Sequence, residues 1–428
     1  MLQHPPRESA RVSWTYFVLG FVAILMTVPV ARTIQNWVAD HWGRQAFTIF
    51  VIACVVITLA ACARHLARLQ APSSLARGLW LLVIAGIYGA WTLHLGQESP
   101  EEAVHFLEYG GLSLLAFRAL SHRHRDQGIH IAAALLCALA GTFDEILQWL
   151  TPGRYWDFAD VALNVSSGAL MQAALWRGMP PAYLGRGVGA ESMRLIRRLG
   201  TAQLLLIGLC ASNTPPRTAW LSRQASPLQY LATMDDVMME YGYQNSGSET
   251  GAFFSRFPKD DLIGIDAQRG EEAARVLDEF KDEARYPEFL GRYTPATDPF
   301  LHEARVHLFR RDRFLSKALW PTADDKFRRD HATVAYHENQ ILEGYFPRTL
   351  HASSYVLPSD QAAFLADHVD RETRYVSRVS DTLVCRIREW QIWLVILILL
   401  AGLQATALAS RRQAAAPVRS ADPGAGAG

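Results

Sequence analysis

The chain has 428 residues, of which 50% are apolar and 19% charged, and its formal net charge is +1. A charge balance this close to neutral argues against a bulk nucleic-acid partner, which would require an excess of positive charge. The sequence contains no nucleotide-binding, nucleophile-elbow or kinase pattern, so it does not indicate the common soluble enzyme classes. The composition averages an apolar N-terminal part with a polar C-terminal part, as in a membrane protein with a water-exposed domain.

Eight apolar runs have a length near the roughly 20 residues that a membrane-spanning helix needs. The first six predict an N-terminal bundle, the seventh is short and contains polar residues, and the eighth is strongly apolar. We expect these spans at 14–31, 46–63, 78–95, 103–120, 130–150, 158–176, 199–214 and 390–408. The predicted fold class is all-α, with six N-terminal transmembrane helices and a mainly helical extracytoplasmic domain flanked by two further transmembrane helices.

Arginine residues in alternate loops predict the orientation of the chain, because cytoplasmic loops retain positive charge. They cluster before the first span, between the second and third, after the fourth and after the sixth. Both termini are therefore expected in the cytoplasm and 215–389 outside. The predicted divisions are a transmembrane domain at 1–180, a basic cytoplasmic linker at 181–198, the seventh helix at 199–214, the external domain at 215–389, the eighth helix at 390–410 and a disordered cytoplasmic tail at 411–428.

Ionisable residues within spans mark candidate functional sites, because charge is costly inside a membrane. Three polar groups fall at the outer ends of the fourth, fifth and sixth spans, and a basic residue lies on the turn between the last two. They are His105 and Glu108; Asp144, Glu145 and Gln148; Asp157, Asp160 and Asn164; and Arg154, which follows Pro152 and Gly153. Residues three or four apart share one helix face, so we expect these groups to converge in the outer leaflet.

An ordered set of motifs in this region resembles the VanZ-like family of bacterial membrane proteins. The motifs are His105-Phe106-x-x-Tyr109, Asp144-Glu145-x-x-Gln148, Pro152-Gly153-Arg154 and Asp160-x-x-x-Asn164-x-x-x-Gly168. The resemblance covers 14–176 and implies a multi-pass protein of the bacterial inner (cytoplasmic) membrane, with 215–389 in the periplasm. The family is linked to glycopeptide antibiotic resistance and occurs in cell-envelope and exopolysaccharide settings, so the resemblance implies a role of that kind.

The polar site permits ligand binding with or without chemistry. A divalent cation held by carboxylates and a histidine would bind a substrate phosphate; alternatively, Arg154 would bind the phosphate while a neighbouring side chain transfers a proton. The candidate catalytic residues are His105, Glu108, Asp144 and Glu145. The candidate ligand-binding residues are Gln148, Arg154, Asp157, Asp160 and Asn164. The structural alternative is a polar network that packs the fourth, fifth and sixth helices together.

In the external domain, apolar spacing near 3.6 residues predicts helices at 226–241, 270–285 and 323–345. A further helix should begin at 359 and continue to 408 as the last span, because this stretch has no proline and a single glycine. Short strands are expected at 251–257 and 304–314, and a loop at 242–249.

The external domain offers weaker candidates for metal or ligand binding among its histidine, basic and aromatic residues. The spacing of its six histidines matches no zinc motif, so we expect them to lie on the surface or to cap helices. Tyr293, Arg310, Arg311, Arg313 and Trp320 would suit a groove for a carbohydrate or an anionic ligand, although core and solvated surface is the commoner use of such residues.

Small residues in the spans are expected to pack against neighbouring helices. They include Gly110, Gly111, Gly168, Cys54, Cys62 and Cys137. Cys210 and Cys385 differ, because each lies near the outer end of an anchoring helix. These two are candidates for a disulfide bridge if the two helix ends touch.

We therefore expect a protein that binds a lipid-linked or phosphate-bearing ligand in the outer leaflet, with membrane lipids or a lipid-linked envelope precursor as partners and no nucleic acid. One alternative is a membrane-embedded hydrolase or transferase acting on a lipid-linked substrate. Another is a scaffold for an envelope export or polymerisation complex, in which the external domain contacts envelope proteins.

Overall fold

The computed structural model describes residues 5–28, 30–69, 73–98, 102–151, 154–234, 237–379, 384–385 and 387–415. These residues are mostly helical. They form two compact units: the N-terminal unit, Met1–Ile207 with Val395–Gly428, and the C-terminal unit, Gly208–Leu394. The mainly helical character predicted from the sequence is confirmed.

The N-terminal unit is built from helices whose positions overlap every predicted span. They are α1 (Ala10–Thr27), α2 (Ala31–Trp42), α3 (Gln45–Leu69), α4 (Ser74–Glu98), α5 (Glu102–Leu120), α6 (Gly128–Trp149), α7 (Phe158–Ala173, continued by a π-helical turn at Ala174–Gly178), α8 (Ala190–Ala211) and, near the C-terminus, α16 (Glu389–Ala415). Within the described residues, four of these, α1, α3, α4 and α6, are long and apolar enough to cross a membrane. A fifth is added if α8 and the following α9 (Pro215–Gln224) count as one broken span.

Helix α2 was not predicted, although its sequence is amphipathic. Ile34, Trp37 and Val38 lie three or four residues apart, so they form an apolar stripe. Trp37 and Trp42 are exposed, as is typical of tryptophans at a membrane–water interface. The helix ends at Gly43, whose φ of +79° favours glycine.

Helices α5, α6 and α7 form the centre of the N-terminal unit and approach each other closely. The Ser113 hydroxyl of α5 donates a hydrogen bond of 3.0 Å to the carbonyl of Gly168 in α7. A Cβ at Gly168 would lie 3.0 Å from the sulfur of Cys137 in α6, whereas a Cβ at Gly111 would meet nothing within 4 Å. Close packing therefore requires glycine at 168 but not at 111, and the packing role expected for Gly111 is wrong.

The C-terminal unit is a helical domain with two small sheets. Besides α9, it contains a 3-10 segment at Ser226–Thr233, α10 (Lys259–Glu279), α11 (Tyr286–Arg292), α12 (Pro299–Ala318), α13 (Asp325–Tyr345), α14 (Pro347–Ala352) and α15 (Ser359–His368). Strands β1 (Glu240–Tyr241) and β4 (Val384–Cys385) pair in parallel, and β2 (Tyr243–Gly247) and β3 (Gly251–Ser255) form an antiparallel hairpin. Its apolar core is rich in buried phenylalanines, including Phe253, Phe280, Phe289, Phe300 and Phe346.

The single helix predicted from 359 to 408 is wrong, because α15 ends at His368 and α16 begins at Glu389. Between them, the Asp370 carboxylate accepts hydrogen bonds from the backbone N–H groups of Glu372 and Thr373, at 2.9 and 3.4 Å. Such local side-chain bonds offer the backbone an alternative to the helix. The absence of proline and glycine was therefore not sufficient to predict a helix here.

Other predictions for this unit were confirmed only in part. The helix predicted at 323–345 and the strand at 251–257 are confirmed as α13 and β3. The strand predicted at 304–314 is wrong, since it lies inside α12, which begins where the Asp298 carboxylate accepts the N–H of Leu301. The helix at 226–241 is replaced by the 3-10 segment followed by β1, and the loop at 242–249 is largely strand β2. Helix α10 covers only 270–279 of the predicted 270–285.

The predicted disulfide between Cys210 and Cys385 is wrong, because all five cysteines are free. Cys385 pairs with Tyr241 in the parallel sheet, and the Tyr241 hydroxyl donates a hydrogen bond of 2.6 Å to the carbonyl of Ala211. A tyrosine side chain thus connects the strand to the end of α8, where a disulfide would have needed direct approach. In the tail predicted to be disordered, 411–415 are helical, and 416–428 lie outside the described residues.

Candidate functional site

The N-terminal ends of α5 and α7 meet the C-terminal end of α6 around a polar cavity. The cavity has a volume of about 230 Å³. Its lining residues are Gln35, Glu102, His105, Glu145, Gln148, Arg154, Tyr155, Asp160, Leu163 and Asn164. Among the described lining residues, only Leu163 has no polar side-chain group, so the cavity is suited to contact a polar molecule.

The structure brings together six of the nine candidate residues around this cavity: His105, Glu145, Gln148, Arg154, Asp160 and Asn164. Glu108, Asp144 and Asp157 do not line it. Pro152 and Gly153, which were expected to turn the chain before Arg154, lie outside the described residues. The spacing of the polar residues in the sequence was sufficient to predict that these six side chains converge at the ends of three helices. It was not sufficient to predict that the other three would lie outside the cavity.

Two of the excluded carboxylates support neighbouring groups. Glu108 lies one helical turn after His105, and its Oε2 is 3.1 Å from His105 Nδ1. Asp157 caps α7, because its carboxylate accepts a 2.6 Å hydrogen bond from the N–H of Ala159. Glu108 thus lies beside a cavity residue, although its Oε2 accepts no hydrogen bond within the described residues. Asp157 fixes the start of the helix that carries the lining residues Asp160, Leu163 and Asn164.

Asp144 connects α5 to α6 behind the cavity. Its side chain is fully buried, and Oδ2 accepts hydrogen bonds from the Tyr109 hydroxyl at 2.8 Å and from Gln148 Nε2 at 3.2 Å. The other oxygen, Oδ1, has no hydrogen-bond partner in the part of the chain that the structure describes. Asp144 is thus held by neutral donors alone, which compensate a buried carboxylate only weakly.

Glu145, Gln148 and Asn164 form a hydrogen-bonded chain along one wall. Glu145 Oε1 accepts from Gln148 Nε2 at 3.0 Å and from Asn164 Nδ2 at 3.4 Å. Glu145 Oε2 is buried and has no partner among the described residues. A Cβ at Gly141 would lie 2.8 Å from the Cβ of Asn164, so a glycine there lets α7 approach this wall.

Arg154 brings a fixed positive charge to the cavity. Its Nη2 donates to Oε1 of Gln148, and its guanidinium makes no ion pair with any described carboxylate. The guanidinium carries five N–H donors in a planar fork, so donors remain for a ligand. Because Glu145 and Asp160 contribute acceptors to the same cavity, the lining offers both kinds of hydrogen-bonding group.

Within the part of the chain that the structure describes, His105, Glu108, Asp144 and Asp160 are not arranged as a cation site. Within the described residues, no group of three or more histidine, cysteine, aspartate or glutamate side chains is arranged to hold a metal ion. Asp144 is directed at Tyr109 and Gln148, and Glu108 lies beside His105, which accounts for this outcome.

Sequence reasoning missed four lining residues: Gln35, Glu102, Tyr155 and Leu163. Gln35 comes from the unpredicted helix α2, whose amphipathic spacing was the available signal. Glu102 begins α5 one turn before His105, so its position on the same helix face was also readable. Tyr155 and Leu163 carry no comparable signal, because aromatic and aliphatic residues are ordinary in such a segment.

A second buried polar cluster lies in the C-terminal unit, and its charges are compensated. Glu338 Oε1 accepts hydrogen bonds from Tyr375 and Ser377, each at 2.6 Å, and from Arg310 at 3.1 Å. Glu338 Oε2 lies 2.6 Å from Nδ1 of His307. Burial opposes ionisation of Glu338, but the hydrogen bond and charge of His307, together with the two hydroxyls, hold its pKa below the usual range.

Arg256 is the second compensated charge of this cluster. It pairs with Glu240 through two nitrogens, and its Nη1 lies 3.8 Å from Glu303. Burial would lower the pKa of Arg256, but the two carboxylates raise it. The expectation that the histidines of this domain lie on the surface or cap helices is wrong for His302, His307 and His337, which are buried.

The comparison with known families agrees with the resemblance noted in the sequence. Residues 16–179 match the family model VanZ/LLP1, so the N-terminal part of the chain is VanZ-like and the predicted resemblance is confirmed. The match contains every residue of the polar cavity. No curated protein and no solved structure gives a match to the chain.

Proposed function

We propose that this protein is a multi-pass protein of the bacterial inner membrane that acts in envelope or surface-polysaccharide biology. We further propose that its polar cavity binds a lipid-linked or phosphate-bearing ligand. Both proposals rest on the VanZ-like match and on the lining of the cavity. The observation behind the proposal is the pairing, in one cavity of about 230 Å³, of an arginine and a buried carboxylate oxygen: among the described residues the arginine makes no ion pair and the oxygen has no hydrogen-bond partner. Buried polar groups usually have a hydrogen-bond partner, so this pairing points to a group supplied from outside.

Arg154 supports the phosphate part of the proposal. Its planar fork matches two oxygens of a phosphate at once, and such charge-assisted bonds are roughly twice as strong as neutral ones. The hydrogen bond to Gln148 fixes the orientation of the guanidinium. Arg154 would therefore bind the phosphate while its other contacts hold it in place.

The carboxylates and amides support a ligand that also carries hydroxyl or amine groups. Glu145 Oε2 needs a donor, and Asp160 and Asn164 lie on the adjacent helix. A phosphate alone would be repelled by the carboxylates. A headgroup in which a phosphate adjoins a sugar or an amine would instead satisfy both kinds of lining group.

The size and place of the cavity favour a headgroup over a whole soluble molecule. Drug-sized ligands occupy about 300–1,000 Å³, which exceeds this cavity. The arginines of alternate loops support a location of this end of the bundle in the outer leaflet. The acyl or isoprenoid part of the ligand would then stay in the bilayer while the headgroup enters between α5, α6 and α7.

A membrane-embedded hydrolase or transferase is the second candidate, and one observation favours it. His105 lines the cavity, and Oε2 of Glu108 lies 3.1 Å from its Nδ1. A histidine beside a carboxylate is a common arrangement for a general base. His105→Ala would then abolish turnover of a lipid-linked substrate while the ligand still binds. If the site only binds its ligand, neither the wild-type protein nor His105→Ala forms a product.

Native mass spectrometry of the full-length protein in mild detergent tests the binding proposal. We expect the wild-type protein to retain a phosphate-bearing lipid and Arg154→Ala to lose it. Arg123→Ala is the matched control, because Arg123 lies in the same unit, is 75% exposed and pairs with Glu191 away from the cavity. Wild-type protein without a bound lipid, or equal retention by both variants, would contradict the proposal.

A further inference from the structure

An open groove on the C-terminal unit carries both aromatic and basic side chains. Its volume is about 720 Å³, and it runs along α12 between the end of α10, α11 and Tyr355. The lining residues are Lys281, Tyr286, Arg305, Phe309, Asp312, Arg313, Ser316, Lys317, Trp320 and Tyr355. This volume lies within the range of small-ligand sites. The groove shares no residue with the cavity of the N-terminal unit.

Flat aromatic faces form one part of the lining. Tyr286 and Phe309 stack with ring centroids 5.1 Å apart and an interplanar angle of 4°. Trp320, which follows the C-terminal end of α12, is 49% exposed, and its ring stacks with that of Phe327 at 6.0 Å. Tyr286 and Phe309 are partly buried. Sugar rings present apolar C–H faces that stack on partly exposed aromatic rings such as these.

The positive charges of the groove lack anionic partners. Among the described residues, no ion pair is made by Lys281, Arg305, Arg313 or Lys317. Asp312 is the one carboxylate in the lining, and it already binds Arg311 at 2.8 Å. The groove therefore has an excess of positive charge although the chain as a whole has a net charge of only +1.

Arg305 makes this excess informative because it is 4% exposed. Its guanidinium lies over the ring of Tyr286, 4.8 Å from the centroid, and its Nε has no hydrogen-bond partner in the described part of the chain. The hydroxyl of Tyr355, beside it, is also buried and unpartnered. Buried cations are usually paired, so these two donors point to an anionic group supplied from outside.

We propose that this groove binds an anionic saccharide, with sugar rings stacked on Trp320 and on the Tyr286–Phe309 pair and with carboxylates bound by Arg305, Arg313 and the two lysines. Ser316 and the Tyr355 hydroxyl add donors for sugar hydroxyls. A nucleic acid fits less well, because the chain as a whole has a net charge of only +1. The inference does not depend on the ligand of the membrane cavity.

Calorimetric titration of the full-length protein in detergent tests this site with four probes: tetragalacturonate, maltotetraose, inorganic phosphate and a short single-stranded oligothymidylate. We expect tetragalacturonate to bind at least about tenfold more tightly than neutral maltotetraose, since hydrogen bonds to charged groups are the stronger class. Added salt should weaken its binding. Equal binding of the two saccharides, or stronger binding of phosphate alone or of the oligothymidylate, would overturn the proposal.

Two pairs of surface substitutions locate the binding. Trp320→Ala and Arg313→Ala should each weaken tetragalacturonate binding by about tenfold, while Trp220→Ala and Arg329→Ala, exposed residues of the same unit outside the groove, should leave it unchanged. All four positions are at least partly exposed, so folding should be preserved, which circular dichroism checks. Unchanged binding by both groove variants would overturn the assignment of the site.

Discussion

The two buried polar clusters of this protein differ in how their carboxylates are compensated. In the C-terminal unit, Glu338 is fully buried and receives donors from arginine, histidine, tyrosine and serine. In the N-terminal unit, Glu145 is bound through one oxygen by two neutral amides and its other oxygen has no described partner. Both carboxylate oxygens of Glu338 thus have donors, although Nε2 of His307 has no hydrogen-bond partner among the described residues. Only one oxygen of Glu145 is satisfied in this way, and the proposed ligand would supply the donor for the other.

The largest effect on stability should come from a substitution in the Glu338 cluster. Glu338→Gln leaves the charge of Arg310 without its carboxylate, and His307 loses its partner, so we expect the free energy of unfolding of the C-terminal unit to fall by about 3–5 kcal/mol. Hydrogen exchange of the α12 and α13 amides would measure it. Glu272→Gln is the control, because Glu272 is 61% exposed. A loss no larger than that of the control would show that the cluster is not what stabilises this unit.

In the N-terminal unit, we expect stability around the polar cavity to depend on helix packing more than on ion pairs. Gly168→Ala would force a Cβ to within 3.0 Å of the Cys137 sulfur, and overpacking of this kind costs about 1–3 kcal/mol. Gly111→Ala on the adjacent helix meets open space and should cost nothing. Thermal unfolding of both variants in detergent makes the comparison; equal melting temperatures would contradict the packing argument.

Acid should weaken the C-terminal unit before it affects Glu338. Burial and, to a lesser extent, the charge of Arg256 lower the pKa of His302 from 6.5 to about 3. The unfolded chain therefore binds a proton that the folded one does not, and stability falls as the pH drops below 6.5. The expected slope is about 1.4 kcal/mol per pH unit for this one group.

His302 and Glu338 affect stability over different pH ranges. The lowered pKa of Glu338 gives stability that is present above its usual value of 4.5 and is lost only as the pH falls below it. His337, whose pKa is lowered mainly by burial, adds to the dependence of stability on pH above pH 4.5. His302→Phe should reduce the slope of unfolding free energy against pH, measured by denaturant unfolding between pH 4.5 and 6.5. An unchanged slope would mean that His302 does not titrate on unfolding.

The smallest effect on stability is expected at Arg154. In the absence of ligand it makes a hydrogen bond to Gln148 and no described ion pair, so Arg154→Ala should cost less than about 1.5 kcal/mol. Thermal unfolding of the ligand-free protein measures this cost. A loss comparable to that of Glu338→Gln would place Arg154 in a structural network.

The sequence predicted the helices of the N-terminal unit better than the structure of the C-terminal unit, for physical reasons. Long apolar runs specify membrane helices almost by themselves, and the spacing of His105, Glu145 and Asp160 was sufficient to predict their convergence. In the C-terminal unit, the segment after His368 lacks helix breakers, yet the Asp370 turn ends the helix. Local hydrogen bonds of this kind are not visible in hydropathy.

Two further features depended on tertiary structure. Gln35 reaches the cavity because α2 folds as a helix beside it, although no polar motif marks that segment. Asp144 lay within a recognised motif, but its rotation toward Tyr109 takes it out of the cavity. Helix rotation of this size is decided by side-chain packing between helices, which single-sequence periodicity does not resolve.

The most direct test of the contrast is thermal unfolding of Glu145→Gln beside Glu338→Gln in the ligand-free full-length protein. We expect Glu145→Gln to unfold at the wild-type temperature or above it, because the change removes a buried carboxylate oxygen without a partner and keeps the acceptor that Gln148 and Asn164 use. Glu338→Gln should unfold at a lower temperature. A fall of similar size in both variants would contradict the account and make the membrane cavity a packing network.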